Sequence, residues 1–322
     1  MEVGNAYEPA TLVEIEAARE RIAGTIVRTP LVRLEIDAPG EIFLKLENLQ
    51  PIGSFKLRGA GNALALVDPA ELAGGVWTAS AGNMAQAVAW HARKRGLRCT
   101  VVVPETAPRT KLDAIRRLDA AFVKVPVPTW IEVFRTRTYP GMEGVFVHPF
   151  SDPNVIAGNG TIGVEIVEDL PDVNAVLVPY GGGGLSCGIA SALRALAPKC
   201  RVYACEAETA APLVASLAAG EPVAVEHVTS FVDGIGAPTV FPEMFALARE
   251  LLDGSIAVSL AAVADAVRLL VERARVVAEG AGAASVAAAR SGRAGNGKLV
   301  CVVSGGNIDT GTLEAILAGN TP

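Results

Sequence analysis

Lys56 stands in the run Ser54-Phe55-Lys56-Leu57-Arg58-Gly59-Ala60, directly after the turn-forming Pro51-Ile52-Gly53. A lysine at a helix start meets the positive end of the helix dipole. That disfavours its charge and lowers its pKa in the direction an imine-forming amine needs. Gly181, Gly182, Gly183 and Gly184 follow the apolar run Val176-Leu177-Val178-Pro179 and precede a helical segment. Without Cβ atoms, consecutive N–H groups can converge on an anion at a helix start. This loop is not followed by Gly-Lys-Ser/Thr and does not itself read GxGxxG, so it is not a triphosphate or dinucleotide fingerprint. Ser304-Gly305-Gly306-Asn307 follows another apolar run, and its hydroxyl can meet a ring nitrogen without adding charge. Ser80-Ala81-Gly82-Asn83-Met84-Ala85-Gln86 opens a third helix. It offers a hydroxyl, backbone amides and a carboxamide, suited to a carboxylate and a phenolic oxygen.

Each of these has a plainer reading when taken alone: a solvated lysine, a flexible turn, a turn after a strand, a helix cap. Together they supply a reactive amine, a phosphate cradle and a polar end-stop. Those are the parts that hold pyridoxal 5'-phosphate.

The elements that must position these residues alternate between apolar, β-branched runs and Ala-rich helical segments. Strands are expected at 42–46, 76–78, 99–103, 121–125, 145–148, 175–179, 202–205 and 299–303. Helices are expected at 11–22, 55–66, 82–95, 110–118, 161–170, 184–196, 260–275 and 281–290. Strands without polar alternation, separated by helices, imply parallel sheets covered on both faces, an α/β protein. Residues 72–147 read as a compact strand-helix unit of their own, a small substrate-gating domain. Residues 1–71 and 148–322 form the larger cofactor-binding domain, and no linker of Ser or Pro separates the two.

The chain has 322 residues, 51% of them hydrophobic, with net charge -6 and a pI near 5.3. The acidic balance argues against a nucleic-acid partner. Five cysteines without CxxC spacing suit a reducing cytoplasm better than a disulfide framework. Met1-Glu2-Val3-Gly4-Asn5 lacks a basic and apolar leader pattern, so no signal peptide is expected. The apolar stretch 256–271 contains Asp265 and Arg268 and reads as a helix rather than a membrane span. His91, His148 and His227 lack metal-ligand spacing, and Cys187 reads as a small packing residue.

In this order, Ser-Phe-Lys-x-Arg-Gly-Ala, Ser-Ala-Gly-Asn-x-Ala-Gln, Val-Ile-Ala-Gly-x-Gly-Thr (155–161), Gly-Gly-Gly-Gly-Leu and Ser-Gly-Gly-Asn resemble the fold type II PLP enzymes. Within them the likeness is to the threonine/serine dehydratase and serine racemase branch, from Thr29 to Asn307. The resemblance implies a two-lobed, tryptophan synthase β-like fold, each lobe a mostly parallel sheet flanked by helices. It implies that Lys56 attaches the cofactor, Phe55 packs beside its ring and Asn83 bonds its phenolic oxygen. Gly181, Gly182, Gly183, Gly184 and Leu185 would hold the phosphate, and Ser304 would face the pyridine nitrogen. Gly234 and Glu279 match positions near the ring. Ser80, Ala81, Gly82 and Met84 would line the substrate carboxylate site. The implied activity is dehydration and deamination of a β-hydroxy amino acid, L-threonine or L-serine by default, by a cytoplasmic homodimer.

Three departures sharpen these expectations. Ala81 replaces the second serine with which serine racemases reprotonate Cα, so elimination is expected over racemisation. Met84 stands where the family usually has histidine, either as an apolar wall for a bulkier substrate such as phenylserine or as a tolerated swap. Pro212 stands where relatives place a second acidic cation ligand after Glu206, so no metal is expected. The end of the chain soon after Ile308 implies no regulatory domain of the biosynthetic threonine dehydratase type.

Overall fold

Apolar strands without alternation must bury both faces, and the chain surrounds them with helices. The computed structural model describes residues 7–322. The reading of a missing leader falls on Met1 to Asn5, outside the described residues. The strands are β1 (Leu31–Leu34), β2 (Glu41–Lys45), β3 (Val76–Ala79), β4 (Cys99–Pro104), β5 (Ala121–Val125), β6 (Val145–Phe146), β7 (Ala175–Pro179), β8 (Arg201–Ala207), β9 (Gly254–Val258) and β10 (Lys298–Val302). The helices are α1 (Leu12–Ile22), α2 (Lys56–Ala65), α3 (Asn83–Lys94), α4 (Arg109–Arg116), α5 (Val127–Thr136), α6 (Pro153–Asp169), α7 (Gly184–Leu196), α8 (Pro212–Ala219), α9 (Pro242–Leu251), α10 (Leu260–Leu269), α11 (Gly280–Arg290) and α12 (Thr310–Leu317).

Two sheets form. The larger runs β1-β2-β10-β7-β8-β9 and is parallel except where β1 meets β2; the smaller runs β5-β4-β3-β6 and is parallel throughout. Every residue of β7 is buried, as a central parallel strand requires. The strand latest in sequence, β10, inserts between β2 and β7, with Val300 opposite both Phe43 and Val176. The loops leaving β2, β10 and β7 therefore emerge side by side at the carboxyl edge, where α/β sheets bind ligands.

Beneath that edge lies a buried charge cluster. Arg58 donates from Nε and Nη2 to the two carboxylate oxygens of Glu47 (2.8 Å each) and from Nη1 to Glu165 (2.7 Å). Lys45 Nζ donates to Glu165 and to the Thr29 carbonyl, both at 2.6 Å. All four side chains are essentially inaccessible. Burial alone would raise Glu47, but Arg58 more than reverses this and its pKa is lowered. The cluster ties the end of β2 to α2 and α6. Gly158 of α6 completes the joint, since a Cβ there would come within 2.7 Å of the Arg58 carbonyl.

Several boundaries differ from those expected. The helix placed at 161–170 begins at Pro153, because the Asp152 carboxylate accepts from the amides of Asn154 (2.8 Å) and Val155 (3.3 Å). Its glycines serve close packing rather than a loop. The stretch 256–271 divides into β9 and α10, and the helix expected to reach 275 gives way to a π-helical turn at Leu270–Ala274. The strand expected at 145–148 pairs only over Val145 and Phe146. β1, α5, α8, α9 and α12 add elements that periodicity did not mark, most of them short and close to proline.

Arg58→Ala leaves buried Glu47 without a paired cation and Glu165 with Lys45 alone. A loss of about 3–5 kcal/mol in unfolding free energy is expected, as for one member of a buried ion pair, read from the denaturant midpoint.

Candidate active site

The lysine-bearing loop is laid along the loop after β10. Ser54 and Gly305 form an antiparallel bridge, Phe55 N–H donates to the Ser304 carbonyl (3.0 Å), and Gly306 N–H donates to the Gly53 carbonyl (2.9 Å). This pairing consumes the backbone around Ser54, and α2 starts at Lys56 with Phe55 in the cap position. Ser54 is a weak cap at best, its Oγ lying 3.4 Å from the Lys56 amide. Lys56 Nζ donates to the Pro149 carbonyl (2.6 Å) and sits 5.1 Å from the Phe55 ring centre. Burial lowers its pKa to about 8, against the opposing pull of Glu279. The shift has the direction expected from the sequence, but desolvation leads it rather than the helix dipole.

Phe150 follows Pro149 and packs on the glycine loop. A Cβ on Gly182 would lie 2.1 Å from the Phe150 ring, and one on Gly184 would lie 2.7 Å from its carbonyl. Gly183 has φ +89°, a conformation that side chains disfavour. The amides of Gly181 to Leu185 precede the first hydrogen bond closed by α7, from Cys187 N–H to the Gly183 carbonyl (2.9 Å). They are therefore free for an anion at the start of a 13-residue helix.

On the other side, a Cβ on Gly181 would stand 3.6 Å from the Gly234 carbonyl, and one on Gly234 would stand 3.1 Å from Glu279 Oε1. Glu279 Oε1 accepts from Asn83 Nδ2 at 2.8 Å. Burial raises the Glu279 pKa to about 7; Asp233 adds to the rise, while Asn83 and Lys111 oppose it. Lys56, Phe55, Asn83, Gly181, Gly182, Gly183, Gly184, Leu185, Gly234, Glu279 and Ser304 thus form one contiguous ring of contacts. The Ser304 side chain is buried, and among the described residues its hydroxyl makes no hydrogen bond. A partly enclosed amine, a cradle that a Cβ would fill and a spare hydroxyl fit the aldehyde, phosphate and ring nitrogen of pyridoxal 5'-phosphate.

Ser80, Ala81 and Gly82 lie partly exposed at the start of α3. Ser80 Oγ accepts from the Gly82 amide (3.2 Å), and a Cβ on Gly82 would meet nothing within 4 Å, so this turn faces open space. Met84 is the most enclosed of the four residues expected at the carboxylate site, 1% exposed and clustered with Ile52, Leu57, Val88 and Val101 in the core of the smaller sheet. It occupies the second position of α3, directly after Asn83.

Further residues also shape the site, among them His148, read from the sequence only as lacking metal-ligand spacing. Pro149 and Phe150 join the lysine to the glycine loop. His148 positions them: it is buried, its pKa is pushed down to about 3 by burial, and Nδ1 accepts from the Ser151 amide (2.8 Å). Lys111 of α4 pairs with Asp233 (2.5 Å), beside Gly234. A conspicuous His-Pro-Phe run between two apolar segments was the available signal. Glu206 accepts from the amides of Leu213 (2.8 Å) and Val214 (2.9 Å) and from Ser255 Oγ (2.6 Å), so its carboxylate caps α8.

Comparison with known proteins agrees with this geometry. The family described as "Pyridoxal-phosphate dependent enzyme" matches residues 22–305. The chain is 41% identical over 314 residues to an L-threonine ammonia-lyase of Thermotoga maritima, covering 95% of this chain and 78% of that one. It is 38% identical to the catabolic L-threonine dehydratase of Escherichia coli strain K12, covering 96% of each. Among solved structures, maize serine racemase superposes with a TM-score of 0.89 at 32% identity, covering 97% of this chain and 98% of the other. The chain therefore belongs to the family of pyridoxal-phosphate-dependent enzymes.

Proposed function

We propose that the protein is an ammonia-lyase acting on L-threonine or L-serine: it eliminates the β-hydroxyl as water, and the released enamine takes one water back up to give a 2-oxo acid and ammonia. The observation that carries this is the enclosed Lys56 amine, opposite a free row of helix-start amides, in a chain similar over nearly its whole length to threonine dehydratases. When bound, the cofactor withdraws electrons from Cα of the attached amino acid.

The residues of the chain do the rest. Gly181 to Leu185 anchor the phosphate through their amides, and Ser304 meets the ring nitrogen as a neutral hydrogen-bonding partner. Ser80 and the amides of Ala81, Gly82 and Asn83 orient the substrate carboxylate at the start of α3. Lys56, once its nitrogen is released by the incoming amine, takes the proton from Cα. Its low pKa keeps it able to accept that proton near neutral pH. The β-hydroxyl then leaves as water, protonated by an acid at the site, a part that the cofactor phosphate held by Gly181 to Leu185 would supply.

Residues 72–147 are assigned as the small gating domain, and residues 1–71 with 148–322 as the cofactor-binding domain. The protein is taken to work as a homodimer in the cytoplasm, with five free cysteines, four of them buried, that suit reducing conditions. The likeness to serine racemase favours racemisation as a second reading. Ala81 has no proton to return to Cα, which weighs against it.

Purified protein supplied with the cofactor is expected to release 2-oxobutyrate from threonine and pyruvate from serine, with no steady formation of D-serine on chiral analysis. Lys56→Ala is expected to lower the rate at least ~10³-fold, as for loss of a covalent and proton-transferring group; sustained D-serine production, or an active Lys56→Ala enzyme, would refute the proposal. Because only the neutral amine captures an aldehyde, cofactor uptake by the apo-protein is expected to rise with pH and level off above about 8, where an ordinary lysine would still be climbing; stopped-flow absorbance reads this. Met84→His is expected to destabilise the fold by about 1–3 kcal/mol, the cost of a buried polar group, while the threonine-to-serine rate ratio stays unchanged. A shifted ratio would place Met84 in the substrate wall.

A further inference from the structure

Asn307 closes the Ser304-Gly305-Gly306-Asn307 run, and its side chain reaches back over the site. Asn307 Nδ2 donates twice: to the Ile52 carbonyl (2.9 Å) and to Asn83 Oδ1 (2.8 Å). Asn83 Nδ2 in turn donates to Glu279 Oε1 (2.8 Å). The order of donors and acceptors in this chain is forced. The Ile52 carbonyl can only accept, so the nitrogen of Asn307 must face it. That same nitrogen then faces Asn83, which must present its oxygen. The Asn83 nitrogen is left pointing toward Glu279, with one N–H used there and one to spare. The packing holds Asn307 in this pose. Gly53, at φ +71°, would place a Cβ 3.0 Å from Asn307 Oδ1, and a Cβ on Gly305 would fall 2.6 Å from Glu279 Oε1 and 3.2 Å from Asn83 Nδ2. Three loops therefore close around one hydrogen-bond relay.

We infer that Asn307 is a positioning residue that fixes the amide orientation of Asn83, so that Asn83 presents a donor, not an acceptor, to the phenolic oxygen of the cofactor. The inference rests on the reading that Asn83 meets that oxygen. A donor there stabilises the ionised phenolic oxygen, whereas an acceptor favours its protonated form. The Ile52 carbonyl lies four residues before Lys56, so the loop that carries the covalent lysine also sets the polarity of the group facing the ring.

Asn307→Asp replaces the double donor with acceptors. The Asn83 amide is then expected to turn over, its nitrogen toward residue 307 and its oxygen toward Glu279. The expected result is a loss of about tenfold in cofactor affinity of the apo-protein, the size of one oriented hydrogen bond. The midpoint between the visible and near-ultraviolet bands of the bound cofactor should also move to a higher pH than in the wild type. Asn307→Ser, neutral and shorter, should show the same shift to a smaller extent, and it serves as the test if the aspartate variant does not fold. Asn83→Ala should reproduce both effects, and adding Asn307→Asp to it should change affinity and band position by less than twofold.

Three results overturn the inference. One is an unmoved band in both Asn307 variants with only a lower apo-protein unfolding temperature, the mark of a purely structural tie to Ile52. Another is a tenfold loss from Asn307→Asp that persists in full on the Asn83→Ala background. The third is Asn83→Ala with wild-type affinity and spectrum, which removes the placement of Asn83 at the cofactor and this inference with it; the first two leave that placement standing.

Discussion

Two cations and two carboxylates are withdrawn from water together beneath Lys56, and the candidate site stands on that joint. Lys45, Glu47, Arg58 and Glu165 come from β2, the turn after it, α2 and α6. Each charge would be costly alone in the interior; in mutual contact they hold three elements in one register. Arg58 is two residues past Lys56 on the same first turn of α2. Whatever fixes Arg58 therefore fixes where the lysine side chain leaves the helix. This is a constraint on geometry more than a source of net stability, because buried ion pairs gain little over apolar packing.

The second constraint is topological. Because β10 lies between β2 and β7, three loops distant in sequence leave the sheet next to one another. The loop after β10 pairs with the lysine loop, and the loop after β7 supplies the helix-start amides. The short linker Pro149-Phe150 closes the gap, its carbonyl on Lys56 and its ring against Gly182. The smaller sheet contributes the start of α3 and, through Lys111 and Asp233, the one ion pair among the described residues that joins it to the larger sheet. That pair is partly exposed and of modest strength.

The electrostatics follow from enclosure. Lys56 and Glu279 are both pushed toward their neutral forms by burial, the lysine downward to about 8 and the carboxyl upward to about 7. Two opposite charges facing one another would otherwise neutralise by pairing. Here Glu279 is engaged by Asn83 and Lys56 by a backbone carbonyl, so the amine is left available for chemistry.

Much of this was legible in the chain itself. Alternating apolar and Ala-rich segments fixed the α/β class, because parallel strands buried on both faces leave no other pattern. The lysine, the glycine loop and Ser304 stood out by residue type, and the fold brings them to one edge of the larger sheet. What the chain did not declare were contacts between segments far apart in sequence. Met84 stands beside the expected carboxylate-site residues in sequence, and its side chain is buried in the core of the smaller sheet. Pro149, Phe150 and Asn307 stand in recognisable runs but carry no reactive group, and they matter through what stands across from them. The register of α6 was hidden because its glycines read as breakers until the opposing backbone of α2 is present. Local sequence determined which chemical groups exist and which elements carry them. Only the tertiary structure decided which groups face one another, because that depends on strand order and on buried contacts spanning most of the chain.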